Sequence, residues 1–332
     1  MFKREGAMSC EQESLKETLF FPIPCSHRSG GTAKGERSKM TRLDLIRWAT
    51  NTLRDHQIEN PRLNAELLLA HSLNFSREEL YVRLRREIKE GEKGALERLI
   101  QRRISGEPLQ YILGQQEFWS IHFKVDPRVL IPRPETELLV EQGLWILSEK
   151  TFEQNPSVLE IGTGSGAVAI ALAKGVTHIF LVATDISGDA LVLAKENAKS
   201  AGVQDRIQFV SGDLLSPFQP SKETRAFDLI LSNPPYIVRS EIGSLAKEVR
   251  NYEPVIALDG GEDGLVFYRR LVSQAPPFLR EGGWLLLEVG QGQAERVAEQ
   301  IRENGTFLEP QILPDLAGIE RVVKAQKKES RK

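Results

Sequence analysis

Three hydrophobic rhythms succeed one another along this chain. From Thr41 to about Ser105 apolar positions recur at helical spacing. Asn60-Pro61 predicts an N-cap followed by proline at the first helical position, with Leu63, Leu67, Leu68 and Leu69 behind it. Ser76-Arg77-Glu78-Glu79 fits a capping box, and Glu92 to Ile104 fits another amphipathic helix. Together these predict a small helical bundle. Gly106-Glu107-Pro108-Leu109 breaks the helical pattern, and the alternating, aromatic-rich stretch from Glu117 to Val125 predicts a short hairpin. Pro132 and Pro134 hold Ile131 and Arg133 extended. Pro134 then opens a helix, with Glu135 and Glu137 near its positive end.

After Pro156 the rhythm becomes strand, turn, helix. Strands are expected at 157–161, 178–184, 207–211, 227–232, 283–289, 310–313 and 320–323. Helices are expected at 166–174, 188–201, 264–280 and 293–304. The alternation predicts an α/β fold with a doubly wound, Rossmann-like sheet of seven strands. The expected layout is an extension at 1–39, a helical domain at 40–105, a linker with the hairpin at 106–135, a sheet domain at 136–325 and a basic tail at 326–332.

A length of 332 residues, 40% hydrophobic and 27% charged, suits a globular protein of one to three domains. A formal net charge of -2 gives the whole chain no attraction for polyanions. No apolar run approaches the roughly 20 residues that span a bilayer. Leu19 to Cys25 is short and broken by prolines, a poor signal peptide. Both cysteines, Cys10 and Cys25, precede Met40, and the five histidines form no His-x-x-x-His pair. The expectation is a cytoplasmic, metal-free protein. Residues 1–39 lack a sustained period and read as disordered, or as translated sequence upstream of a start at Met40.

Two constellations carry chemistry. Val158 to Ala167 runs from a strand through Gly162-Thr163-Gly164-Ser165-Gly166 into a helix, a turn whose glycines let a ligand approach the backbone. Asp185 closes the next strand, where an acid takes ribose hydroxyls. These residues fit NAD as well as S-adenosylmethionine, since Gly162, Gly164 and Ala167 also satisfy G-x-G-x-x-[GA]. Glu160 tilts the balance toward a cofactor bearing a sulfonium and an amino group. Asp213, after Gly212, is placed to accept from an adenine amino group, and Leu214 to cover the ring. The second constellation is Asn233-Pro234-Pro235-Tyr236, directly after a buried strand. The prolines donate no N–H, Asn233 offers a carbonyl, and Tyr236 offers a flat face. That turn suits a clamp on a planar NH2 group, which hydride transfer does not need. The stretch Asp259-Gly260-Gly261-Glu262-Asp263-Gly264 is read as a turn with Asp263 as helix cap, with a border of the substrate cleft as the alternative.

The glycine turn, Asp185, Gly212-Asp213 and Asn233 to Tyr236 together resemble class I S-adenosylmethionine-dependent methyltransferases that act on planar NH2 groups. Gly106 to Gly114, Phe118 and Ile131-Pro132-Arg133-Pro134-Glu135-Thr136-Glu137 narrow the likeness. From about Met40 to about Val323 the chain resembles the release factor glutamine methyltransferase (PrmC/HemK) family. The resemblance implies S-adenosylmethionine as cofactor and, as partner, a class 1 peptide chain release factor methylated at N5 of the glutamine in its Gly-Gly-Gln loop. It implies that Asn233 and Pro234 accept the amide hydrogens and that Tyr236 stacks on the amide. A monomer with no membrane or direct nucleic-acid contact is expected. The rival readings are an amino-methyltransferase of a ribosomal-protein glutamine or a nucleic-acid base, and an NAD-dependent oxidoreductase. For Arg133, pairing with a nearby acid is expected.

Overall fold

The computed structural model of the chain describes residues 40–149, 155–219 and 226–329. The expected extension at 1–39, with both cysteines, and residues 330–332 of the expected tail lie outside them. Among the described residues no helix is long and apolar enough to cross a membrane.

The N-terminal part consists of α1 (Arg42–Asp55), α2 (Pro61–Ser72), α3 (Arg77–Val82), α4 (Glu92–Ile104) and the short α5 (Leu109–Leu113). Their apolar faces meet in one core that includes Leu45, Leu53, Leu68, Leu69, Leu80, Leu96 and Ile100, all fully buried. Two capping boxes open helices: Thr41 with Asp44 on α1, and Ser76 with Glu79 on α3. Asn60 does not cap α2 as expected. It adopts left-handed backbone at φ 49° with no side-chain cap bond. Asn64, one turn into the helix, instead donates its amide to the Glu59 and Asn60 carbonyls.

The hairpin pairs β1 (Gln115–Phe118) with β2 (Ile121–Lys124). Its two turn residues, Trp119 and Ser120, both take positive φ, the hand that suits the twist of a two-residue hairpin. A 3-10 turn at Pro134–Thr136 leads into α6 (Glu137–Glu149).

The sheet comprises β3 (Ser157–Ile161), β4 (Phe180–Asp185), β5 (Ile207–Ser211), β6 (Phe227–Ser232), β7 (Leu279–Glu288), β8 (Gln311–Pro314) and β9 (Glu320–Gln326). Its order is β5-β4-β3-β6-β7-β9-β8, parallel except where β9 runs antiparallel between β7 and β8. Helices α7 (Ala167–Gly175) and α8 (Gly188–Ala201) follow β3 and β4. A short α9 (Lys247–Tyr252) interrupts the crossover after β6, which then enters α10 (Val266–Gln274), and α11 (Ala294–Asn304) follows β7. Successive strand residues feed opposite layers. Leu181, Ala183, Leu229 and Leu231 pack on the side of α6, α7 and α8, whereas Val182, Ile230, Leu285 and Leu287 pack on the side of α10 and α11. Burial on both faces explains why apolar residues dominate β3 and β6, where Glu160 and Asp228 are buried exceptions.

Two expected elements are corrected. The helix expected to run from 264 to 280 stops at Gln274, because Pro276 and Pro277 remove two backbone donors and leave a 3-10 turn. Strand β7 then begins at Leu279 rather than Gly283, and a register irregularity against β6 absorbs the difference.

Candidate active site

The sheet reverses its direction of growth at β3, where β4 lies to one side and β6 to the other. Ligands of open α/β sheets bind beyond the strand ends at such a point. There the chain leaves β3 through Gly162, Gly164 and Gly166 at φ +75°, +54° and +83°. The N–H groups of Gly162 and Thr163 both donate to the Thr184 carbonyl at 2.9 Å. A Cβ on Gly166 would stand 3.2 Å from Ala194 Cβ, so the third glycine lets α7 pack on α8. A Cβ on Gly164 would meet nothing within 4 Å, so that backbone is open to a ligand.

The acids of the site brace this bend. Glu160 Oε2 accepts from the Thr163 hydroxyl at 2.6 Å and from the Ala169 N–H at 3.1 Å. Burial pushes the Glu160 carboxyl up to about 8, against the pull of those two bonds. Asp185 accepts from the Gly164 N–H at 2.8 Å and the Ser187 N–H at 2.9 Å, and burial raises its pKa as well. Asp213 takes the Arg270 guanidinium at 2.6 Å. Leu214 beside it is buried in a left-handed conformation, φ 52°, a strained setting for a residue with a Cβ. Asn197 of α8 was not foreseen. Its amide donates to Ser165 O at 2.9 Å and its carbonyl accepts from the Lys124 N–H at 2.8 Å, fastening the hairpin to the glycine bend.

The Asn-Pro-Pro-Tyr turn leaves β6 alongside. Ser232 donates to Ile161 O at 2.8 Å, coupling the two strand ends. The Asn233 main-chain oxygen lies 3.9 Å from where a Cβ on Gly162 would stand. Asn233 Nδ2 donates to the Thr136 hydroxyl at 3.1 Å. Tyr236 is gripped from behind. Its carbonyl accepts from Gln293 Nε2 at 2.9 Å, and its ring packs on the α10 and α11 layer. Cβ atoms on Gly260 or Gly290 would stand 2.7 Å from Tyr236 Cα and 2.9 Å from its Cδ2. Neither Gln293 nor Gly290 stands out in the residue pattern as a support for this turn. The loop holding Gly260 stood out, but its close approach to Tyr236 did not. Asp263 accepts the Leu265 N–H at 3.1 Å but is not the expected cap, since Leu265 is the N-cap of α10, and no residue from 259 to 264 lines the cavity that the glycine bend and the Asn-Pro-Pro-Tyr turn share.

Both turns open into one cavity of about 1140 Å³, part of it open to solvent. Of the residues singled out in the sequence, Glu160, Gly162, Thr163, Gly164, Ser165, Asp185, Asp213, Leu214, Asn233 and Pro235 line it. Gly166, Pro234 and Tyr236 lie outside that lining. Ile186 and Phe267 add apolar walls, and Arg133, Pro254, Ile256 and Ala257 close another side. Arg133 does pair with an acid: its Nη2 lies 2.7 Å from Glu253, whose carboxyl is 1% exposed and raised by burial against the pull of Arg133. The segment carrying Glu253 is also held from the helical side. Arg103 meets Glu248 at 2.8 Å, and Ser105 Oγ meets Tyr252 Oη at 3.3 Å.

Comparison with known proteins gives this geometry its context. The PrmC N-terminal domain family matches residues 44–114, and the methyltransferase small domain family matches residues 136–250. The hMettl16 catalytic domain, in structures with MAT2A 3'UTR hairpins 1 and 6, shares the fold at TM-scores of 0.51 and 0.50. The identities are 14% and 15%, over 76% and 74% of this chain and 87% and 84% of those chains. A sheet of this order, with both turns opening on one cavity at its switch point, defines a class I methyltransferase. The release factor glutamine methyltransferase of Geobacter sulfurreducens is 43% identical over 84% of this chain and 94% of its own length. That of Bradyrhizobium diazoefficiens is 41% identical over 83% and 91%. The chain belongs to the release factor glutamine methyltransferase family, which settles the choice between methyl and hydride transfer.

Proposed function

We propose that this protein transfers a methyl group from S-adenosylmethionine to the side-chain amide nitrogen, N5, of the glutamine in the Gly-Gly-Gln motif of a class 1 peptide chain release factor. The observation that carries the reading is the shared cavity: the glycine bend and Asn233 open into the same space. With Nδ2 given to Thr136, Asn233 keeps its Oδ1 as the acceptor it can offer an incoming amide.

The residues present fit the cofactor. The open backbone at Gly164 accepts close approach, Asp185 stands where ribose hydroxyls would lie, and Ile186 and Leu214 offer apolar cover for a base. When bound, S-adenosylmethionine supplies an electrophilic methyl carbon on a cationic sulfonium. The chain's task is to prepare the nucleophile. An amide nitrogen is weak because its lone pair is delocalised into its carbonyl. Asn233 Oδ1 and the Pro234 carbonyl each accept one amide hydrogen, which fixes the nitrogen and holds its lone pair toward the methyl. Pro234 and Pro235 stiffen the turn, and Tyr236 backs it. Orientation of this kind supplies roughly 7–11 kcal/mol in well-aligned systems. The proton is lost after alkylation, when the nitrogen has become acidic.

A protein substrate also suits the helical part. Its Arg83, Arg102 and Arg103 are paired with Glu79, Glu107 and Glu248, which weakens any field for a polyanion. The test is incubation with methyl-labelled S-adenosylmethionine and either a release factor or its Gln→Ala form, with mass spectrometry to locate the label. Label on the loop glutamine alone is expected. Equal labelling of the Gln→Ala form, or none of either, would overturn the proposal.

A further inference from the structure

Behind the Asn-Pro-Pro-Tyr turn lies a carboxyl that the methyl transfer has not yet used. Glu288 is the last residue of β7, 2% exposed, and its Oε2 has no hydrogen-bond partner among the described residues. An ionisable group is not kept in such a place without cost. Its surroundings come from four elements. Thr136 and Glu135 face it from the 3-10 turn, Arg321 from β9, Tyr236 from the turn after β6, and Tyr268 from α10. Burial pushes its carboxyl up to about 7, while hydrogen bonding from the Thr136 and Asn233 side chains and the charge of Arg321 pull it down.

The polarity of this cluster matters. Thr136, 5% exposed, accepts from Asn233 Nδ2, so its own hydroxyl proton must point elsewhere. An ionised carboxylate can only accept, and it therefore draws that proton toward itself. Thr136 is then held as an acceptor toward Asn233, and the carboxamide is held with Nδ2 inward and Oδ1 outward. A protonated Glu288 can donate instead. Thr136 would then be free to donate to Asn233, and the carboxamide could turn its NH2 to the cleft, where it repels the substrate's own N–H groups.

We propose that Glu288 is a positioning residue: acting through Thr136, it sets which end of the Asn233 carboxamide faces the substrate amide. The catalytic part of this inference rests on the function proposed above. The orientation itself does not, because it belongs to the protein without substrate.

The experiment uses the full chain and its Glu288→Gln, Thr136→Ser and Thr136→Val variants. One arm follows the Asn233 side-chain amide by nitrogen-15 NMR from about pH 6 to about pH 9 without substrate. In the parent protein these signals are expected to titrate with one midpoint near the Glu288 pKa, about 7, and to lose that titration in Glu288→Gln. The other arm measures release-factor methylation over the same range. The parent's kcat should rise with pH through that midpoint. Glu288→Gln and Thr136→Val should lose roughly 10–100-fold in kcat, the usual scale for a residue acting at one remove. KM and cofactor Kd should stay within about twofold, and Thr136→Ser should restore kcat. Thr136→Val carries the test if Glu288→Gln does not fold. An Asn233 titration that survives in Glu288→Gln overturns the proposal, and so does one left unchanged in midpoint and amplitude in the Thr136→Val protein, since the direct Asn233 contact alone would then account for it. So does a loss of kcat accompanied by equal losses of cofactor binding and melting temperature. If the titration behaves as expected but no release factor is methylated, the substrate reading fails and the orienting role stands.

Discussion

Gly260→Ala probes how closely the loop after the Asn-Pro-Pro-Tyr turn must approach it. The added methyl would stand 2.7 Å from both Cα and the carbonyl carbon of Tyr236, and 3.0 Å from Gly264 Cα. All three are backbone atoms, so no side-chain rotation relieves the contact. Because φ at Gly260 is not positive, the effect is steric rather than conformational. Non-bonded carbons settle about 3.5 Å apart, so one strand of the contact must retreat by about 0.8 Å. Overpacking of this kind costs about 1–3 kcal/mol of stability. Its larger effect falls on the reaction, since a misplacement near 1 Å costs about 10²-fold in rate. Gly260 does not line the cavity that the glycine bend opens into, so cofactor affinity should persist. Steady-state methylation gives kcat, calorimetry gives cofactor Kd, and thermal unfolding gives stability. Turnover within about threefold of the parent, at an unchanged melting temperature, would show that the close fit around Tyr236 is not needed.

Asn233→Ala should lower kcat by about 10²–10³-fold, by analogy with loss of one oxyanion-hole partner, with cofactor Kd unchanged by calorimetry. Tyr236→Phe should keep the turn's backing and most of the turnover, whereas Tyr236→Ala should lose both activity and thermal stability. Stability should depend on pH through Glu160, whose carboxyl is raised from 4.5 to about 8 in the folded chain. Between those values the folded state holds a proton that the unfolded state releases, so stability falls as pH rises across that window. The loss is at most about 5 kcal/mol, and urea unfolding of Glu160→Gln should show a flatter pH profile than the parent. Arg133→Ala leaves the buried Glu253 carboxyl without its cation, and should cost about 3 kcal/mol, discounted for the partial exposure of Arg133. The double variant with Glu253→Gln should recover part of that loss in thermal unfolding.

Much of the architecture could be read before any coordinates. Strands β3 and β6 stood out because both faces of a parallel strand are buried, so apolar residues dominate them. The Asn-Pro-Pro-Tyr turn stood out because two prolines after such a strand would make a rigid turn without Asn233 and Tyr236 on either side of them. What escaped notice depends on pairs far apart in the chain. Thr136 reads as part of a helix start, and its bond to Asn233 joins positions 97 residues apart. Gln293 and Gly290 look like ordinary turn residues until Tyr236 is laid against them. The segment from Arg239 to Ala257 has no hydrophobic period, because its anchors are ion pairs and hydroxyls rather than a buried stripe. Asn60 misled for a different reason: asparagine tolerates left-handed backbone as readily as it caps, and here the turn before α2 uses the former.

The way the segment around α9 is fastened bears on any attempt to dissect the molecule. A fragment beginning near residue 106 would retain every side chain that borders the cavity, yet it would discard Arg103 and Ser105, and with them two of the three moorings of that rim. Such a shortened enzyme would bind its nucleoside at a bay with one bank adrift. Its poverty as a catalyst would then say nothing about whether the missing helices ever touch the partner.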